Sequence, residues 1–382
     1  MSAIAPNTLT AGAAAWPLQD DEKGPAPMPA PALQAGCAVR LAHLSDPHLP
    51  PPPIPLWRYA NKRLLSRILW ESKRKWRHRP EQCARVLADL KSCHDDPHSP
   101  PLDAILCCGD LTNFGTKEEY AAAADWLAGL PAPALAVAGN HDAMVGRSWR
   151  QHLAGWAPWG ADGVGLAAPV VRLVGPVAVV AVNSARPRPP FISNGLVDAP
   201  QQRRLASILD RLGELGYFRL VMLHHPPQPL PADKRLQGAL GFARLLHQHG
   251  AEMVLYGHTH RSTLQRIPGT TIPCLGVAST SLQAPRGRAG DERGAAWNDI
   301  TIIPLPASQP SAPQGPGAGG GRQWQVAVHL RRPQGDLFPH EGSIRGEAVF
   351  TTGAQGTSHG GSAGGGVKIN TSQLGSFQGK AA

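Results

Sequence analysis

Along the central part of the chain, short apolar runs alternate with stretches whose apolar residues recur every three to four positions. The runs fall at 38–44, 104–108, 134–138, 177–182, 219–223 and 252–256, and the helix-like stretches at 81–92, 117–129, 200–215 and 237–249. Strand-length runs separated by helix-length periods predict an α/β protein. Arg172–Val182 carries two β-type runs around Gly175-Pro176, the pattern of a hairpin. Two more strands, 296–303 and 323–330, are expected to pair across the segment PLPASQPSAPQGPGAGGGR, which has the composition of a flexible linker at 304–322. The expected organisation is a disordered extension at 1–36, a folded unit at 37–332 and a disordered Gly-rich tail at 333–382.

Composition sharpens this only in places. The 382 residues include 42 Gly and 39 Pro, about a fifth of the chain against a usual share of roughly 12%. They concentrate toward the ends and the linker. A formal charge of +10 favours anionic partners such as phosphate esters, nucleic acid or acidic lipid. The six cysteines have no CxxC spacing. Cys107 and Cys108 sit inside an apolar run, where they read as small buried hydrophobes in a reducing compartment. No segment reaches the roughly 18 unbroken apolar residues of a membrane span. The N-terminal stretch lacks a basic start followed by an apolar core. The expected location is cytoplasmic, with peripheral membrane contact as the alternative.

Five short segments carry chemistry, and each follows an apolar run. They are Ser45-Asp-Pro-His48, Gly109-Asp110, Gly139-Asn-His-Asp142, His224-His-Pro226 and Gly257-His-Thr-His260. Open α/β sheets place ligand sites at the carboxyl ends of their strands. Carboxylate, amide and imidazole groups collected there form a set of oxygen and nitrogen donors for borderline dications, with no thiolate required. Nothing resembles a P-loop or a nucleophilic-serine elbow, which excludes triphosphatase and covalent serine chemistry.

In this order the segments resemble the D-x-H, G-D, G-N-H-D/E, H and G-H-x-H blocks of the calcineurin-like metallophosphoesterase superfamily. Ala181-Val-Asn-Ser-Ala185 and Gly195-Leu-Val-Asp198 with Gln202 resemble its cyclic-nucleotide phosphodiesterase-like (class III) branch. The resemblance implies a four-layer α/β/β/α sandwich with two central mixed sheets and two divalent or mixed-valence metal ions (Mn, Fe or Zn). It also implies hydrolysis of phosphodiesters or phosphomonoesters by a metal-activated hydroxide. Asp46, His48, Asp110 and His260 would hold one ion, and Asp110, Asn140, His224 and His258 the other. The family places its ligand two residues before the proline, which selects His224. Adjacent strand residues face opposite ways, so His225 is expected in a supporting or core role. His141 would contact the phosphate or protonate the leaving oxygen, with Asp142 orienting it.

One segment departs from the compact cyclic-nucleotide enzymes. Residues 55–81 carry basic residues at 58, 62, 63, 67, 73, 74, 75, 77 and 79 and tryptophans at 57, 70 and 76. Helical spacing groups Trp57, Leu64, Leu65 and Ile68 on one side. Three readings are open: a basic surface helix packed on the domain, an interfacial helix on anionic membrane lipid, and a groove wall for nucleic acid. The expected function is therefore a metal-dependent phosphoesterase acting on a small or lipid-linked phosphate ester. A nuclease on the same scaffold and a non-catalytic metal-binding scaffold are the alternatives.

Overall fold

Alternation within each apolar run decides how the molecule is layered. In β1 (Val39–Leu44), Val39 and Leu41 join one apolar core while Ala42 and Leu44 join another. β2 (Ala104–Cys107) repeats the division, with Ala104 and Leu106 on one side and Ile105 and Cys107 on the other. A strand covered on both faces must be apolar at every position, so it reads as an unbroken run. The computed structural model describes residues 38–146, 149–160, 168–284, 294–305, 323–332 and 343–353.

After β1 come α1 (Arg63–Ser72), α2 (Pro80–Asp95), β2, α3 (Lys117–Ala128), β3 (Ala134–Ala136) and α4 (Trp149–Leu153). The second half runs β4 (Val170–Val174), β5 (Val177–Ala181), β6 (Gly195–Leu196), α5 (Ala199–Glu214), β7 (Phe218–Met222), β8 (Leu236–Gln237), α6 (Ala239–His249) and β9 (Met253–Tyr256). It closes with β10 (Thr263–Arg266), β11 (Pro273–Gly276), β12 (Trp297–Pro304), β13 (Gln323–Arg332) and β14 (Ser343–Gly353). Two six-stranded sheets result, ordered β14-β13-β12-β1-β2-β3 and β10-β11-β9-β7-β5-β4, with a small β6-β8 pair beside them. Both large sheets are mixed. β1 runs parallel to β2 but antiparallel to β12. β5, β7 and β9 run parallel, with β4 antiparallel to β5.

Three apolar cores separate four layers. Val86 and Leu90 of α2, with Ala123 and Leu127 of α3, cover the outer face of the first sheet. Leu41, Leu106, Val179, Leu220, Leu255 and Ile300 meet between the sheets. Leu205, Leu209, Phe242 and Leu246 of α5 and α6 cover the outer face of the second. This is the expected α/β/β/α sandwich. The hairpin at Gly175 closes with Val174 opposite Val177, and β12 pairs β13 with Trp297 opposite Arg331.

Three features depart from expectation. β14 lies within the stretch read as tail and pairs with β13 from Gln323–Gly353 to Arg332–Ser343. Its sequence SIRGEAVFTTG interrupts its apolar residues with charge and glycine, which hides a strand that gains its order by pairing. β10 and β11 escape the apolar pattern because TLQR is half exposed and PCLG is bounded by Pro and Gly. In the 55–81 segment, the apolar face picked out by helical spacing points outward. Trp57, Leu64 and Ile68 are exposed, while Tyr59, Arg63 and Trp70 face inward. Tyr59 and Trp70 pack on Phe114 and Met144. Arg63 donates to the carbonyls of Phe114 and Gly115 at 2.7 Å each. The extension at 1–36, the tail beyond 353 and the linker after Leu305 lie outside the described residues.

Candidate metal centre

The strands that precede the chemical segments end at the same edge of the sandwich, and the backbone there is forced into an unusual shape. Asp46, His48, Asp110, His258 and His260 all have positive φ, between 41° and 64°. This region costs a non-glycine residue about 1–3 kcal/mol and persists only where the surroundings over-determine it. Glycines make room for the turns. A side chain at Gly257 would place its Cβ 1.9 Å from Ser45 Oγ, and one at Gly139 would lie 2.2 Å from Asp110 Oδ1.

The side chains so placed converge. His260 Nε2 is 3.0 Å from Asp46 Oδ1 and 3.3 Å from His48 Nε2. His48 Nε2 lies 3.9 Å from Asp46 Oδ1 and 4.0 Å from Asp110 Oδ2. On the other side of Asp110, His224 Nε2 is 3.4 Å from Oδ2 and 3.2 Å from Asn140 Oδ1. Ligand atoms about 2.0–2.2 Å from one cation lie roughly 3–3.5 Å from each other, close to several of these separations. His258 stacks edge-on to His224 with ring centroids 5.1 Å apart, and its Nε2 is buried without a partner. Its backbone N–H donates to Asp46 Oδ2 at 3.0 Å. All seven expected ligands, Asp46, His48, Asp110, Asn140, His224, His258 and His260, thus meet at one end of the sandwich.

Electrostatics call for positive charge at this point. Burial pushes the Asp46 and Asp110 carboxyls up, but the surrounding imidazoles outweigh it and hold both below the usual carboxylate range. For His224, burial is overcome by the charge and hydrogen bond of Asp110, which raise it to about 9. A proton on His224 then occupies the place of a cation beside the carboxylates. His48 and His258 are driven down, His258 to about 3, chiefly by burial. They are neutral imidazoles with free lone pairs, the form that binds metal. The donor set and its charge fit a pair of dications.

Supporting bonds separate the two adjacent histidines. His224 Nδ1 donates to the Cys108 carbonyl at 2.6 Å, which leaves Nε2 toward Asp110. Both ring nitrogens of His225 are engaged instead, Nδ1 with Ser184 Oγ and Nε2 with the Ser193 carbonyl, at 2.9 Å each. His225 is a core residue here.

His141 and Asp142 need a correction. The Asp142 carboxylate does not reach the His141 ring. It accepts from the backbone N–H of Asp110, Thr112 and Gly139 and from Thr112 Oγ1, at 2.8–2.9 Å. Asp142 therefore clamps the loop of Asp110 to that of Gly139 and Asn140 rather than orienting the imidazole. Burial and the neighbouring Asp110 charge push it up to about 7. The His141 ring is oriented by the Asn113 carbonyl, 2.9 Å from Nδ1. The 113–116 loop is itself fastened by the Thr116–Glu119 capping box that starts α3, with Glu119 accepting from the N–H groups of Asn113 and Phe114.

Two site residues escape the sequence reading, and both come from the 55–81 segment. His78 stacks 4.3 Å from His48 and 5.3 Å from His260, centroid to centroid. Arg74 Nη1 lies 2.9 Å from His141 Nε2. In the sequence both are visible only as members of a basic run, because their proximity to the centre is set by a tertiary strap. His78 bridges to Leu282 and bonds Ser281 Oγ at 2.9 Å.

Among known proteins, a probable cyclic nucleotide phosphodiesterase of Synechococcus sp. is 29% identical over 229 residues, which are 58% of this chain and 78% of that protein. Purple acid phosphatase PPD1 from yellow lupin superposes with a TM-score of 0.48 at 9% identity, covering 83% of this chain and 54% of the lupin chain. The chain thus spans about half the length of that enzyme. A dimetal phosphatase from Danio rerio gives 0.46 at 11% identity, covering 78% and 96%. Residues 39–262, which include all seven expected ligand positions, match the profile of the calcineurin-like phosphoesterases. The chain belongs to this family of phosphoric-ester hydrolases.

Proposed function

We propose that the protein is a metal-dependent phosphoesterase whose substrate is a small or lipid-linked phosphate ester. The observation that carries this reading is the convergence of carboxylate, amide and imidazole donors from five separate strand ends on one buried, negatively charged point. Asp46, His48, Asp110 and His260 would hold one ion, with Asp110, Asn140, His224 and His258 holding a second. Manganese, iron and zinc suit this donor set. When bound, the metals supply Lewis acidity, neutralising phosphoryl oxygens and acidifying water. The chain's own part is to hold the ligands in place through Asp142, Cys108 and Asn113, and to present His141 beside them. The resemblance to a probable cyclic nucleotide phosphodiesterase favours a diester.

The lipid-linked version draws support from the surface beside the site. Leu56, Trp57, Leu64, Ile68 and Trp76 are exposed on the segment that carries Arg74 and His78. Lysine and arginine residues lie among them, the composition of an interfacial segment on anionic lipid. Chelator-stripped protein reloaded separately with Mn, Fe or Zn should hydrolyse an aryl phosphodiester and be silent when left metal-free. Anionic vesicles should retain it in flotation. Silence with every metal in a folded protein would refute the enzymatic reading, and salt-sensitive DNA binding without vesicle binding would favour a nuclease.

A further inference from the structure

Arg74 stands out among the basic residues of the 55–81 segment by what it faces. Arg58 pairs with Glu118, and Arg67 and Lys75 both pair with Glu71. Arg74 has no carboxylate within ion-pair distance among the described residues. Its guanidinium is instead turned inward, 2.9 Å from His141 Nε2. His141 belongs with His48 and Asp110 to a set of ligand-type atoms lying within 4.8 Å of one another. Arg74 Nη1 lies 2.9 Å from Nε2 and 3.5 Å from Nδ1 of His141, so the guanidinium rests against the ring, while Nδ1 also lies 2.9 Å from the Asn113 carbonyl. The positive charge at this wall of the site belongs to Arg74.

The position of Arg74 is built, not incidental. It opens a short 3-10 turn, Arg74–Trp76, and its carbonyl accepts from the N–H groups of Arg77 and His78 at 2.9 and 2.8 Å. Just beyond, the chain is strapped to the loop after β11. Arg79 N–H donates to the Ser281 carbonyl and Gln283 N–H to the Arg77 carbonyl, at 2.7 Å each. Ser279 Oγ in that loop donates to the Asp46 carbonyl at 2.6 Å. The strap therefore links Arg74 to the same loops that hold the metal ligands. Holding a partly buried guanidinium with no carboxylate in direct contact, only the more distant charge of Asp110, is unfavourable, and its planar fork matches two phosphoryl oxygens.

We infer that Arg74 is a substrate-binding residue: on binding, its guanidinium leaves His141 and donates to non-bridging oxygens of the phosphoryl group. This deepens the phosphoesterase reading by naming the anion-binding group, and it places that group on the segment that departs from the compact cyclic-nucleotide enzymes. The basic segment thereby becomes one wall of the substrate mouth.

The test uses the full chain loaded with Mn, in the variants Arg74→Met and Arg74→Lys, with inorganic phosphate as the probe. Arg74→Met should keep its metal by elemental analysis and its melting temperature. It should bind phosphate about tenfold to a hundredfold more weakly by calorimetry, as expected for loss of a charge-assisted contact. Arg74→Lys should recover part of that affinity, and millimolar guanidinium should restore phosphate binding to Arg74→Met but not alter the parent protein. Phosphate affinity equal to that of the parent in Arg74→Met would overturn the inference. So would loss of metal or folding in both variants, which would make Arg74 structural. Phosphate binding that depends on Arg74 in a protein hydrolysing no ester would leave the anion seat standing and reject the phosphoesterase reading alone.

Discussion

Asp110 sits where the two halves of the centre meet, and its two oxygens act differently. Oδ1 accepts from the His141 backbone N–H at 2.7 Å, and Oδ2 faces His224 and His48. Replacing it with Asn keeps the shape and removes the charge that both halves share. Asp110→Asn should reduce the metal content of both positions and lower kcat/KM on an aryl phosphodiester by more than the ten- to hundredfold typical of a residue that only supports a ligand. Elemental analysis and single-substrate kinetics, with circular dichroism to confirm folding, check this. Normal metal stoichiometry and rate in the variant would show that Asp110 does not join the two sites. This residue is legible in the sequence because a ligand-type side chain right after Gly at a strand end needs little beyond local geometry to reach the site. Arg74 and His78 are not, since their approach depends on Ser281, Leu282 and Gln283, about two hundred positions later. Asp142 is legible as a site residue but not as a clamp, because four donors converge on it from loops whose packing only the fold reveals.

Among the elements, those with both faces buried are the ones the sequence exposes best. The apolar runs of β1, β2, β5, β7 and β9 are forced by cores on either side, so pattern and structure coincide. α1 defies its own pattern because a helix on the rim can dock through Arg63 and Trp70, with Tyr59 of the preceding turn beside them, leaving its aliphatic face exposed. β14 is hidden because its order comes from pairing. That pairing has a measurable consequence. Trp324 of β13 is 1% exposed and packs against Phe218 with centroids 5.4 Å apart, which ties β13 into the core between the sheets. Ending the chain after residue 353 should leave the melting temperature unchanged. Ending it after residue 332 strips β13 of its outer partner and should lower the melting temperature by several degrees, at about 2–4 °C per kcal/mol for a domain of this size. Turnover per folded molecule should survive in both, because β12 and β13 separate β14 from β1. Equal melting temperatures for the two truncations would mean that β14 adds nothing to the sheet.

For the molecule as a whole, the cluster of buried histidines makes stability a function of pH, and His43 isolates the effect. It is fully buried in β1 and accepts from Asn298 Nδ2 at 3.1 Å. Burial lowers it from 6.5 to about 3, against a smaller opposing pull from Asp46. The unfolded chain takes up a proton on this residue near pH 6.5, whereas the folded chain does not until about pH 3. Its neutral form thus supports the fold fully above pH 6.5, and that support is lost as pH falls, at about 1.4 kcal/mol per unit. His78, lowered to about 2, acts in the same direction. Asp142, raised to about 7, acts in the opposite one: it favours the fold below about pH 4 and loses that contribution as pH rises toward 7. The absolute curve mixes these signs, so the difference between two proteins is the useful measurement. Urea unfolding of chelator-treated protein at pH 7.5, 6.5, 5.5 and 4.5 should show the parent losing about 2 kcal/mol more than His43→Leu between pH 6.5 and 4.5. Parallel curves would mean that His43 takes up its proton in the folded state, and that the interior beside Asp46 admits a second positive charge even without metal.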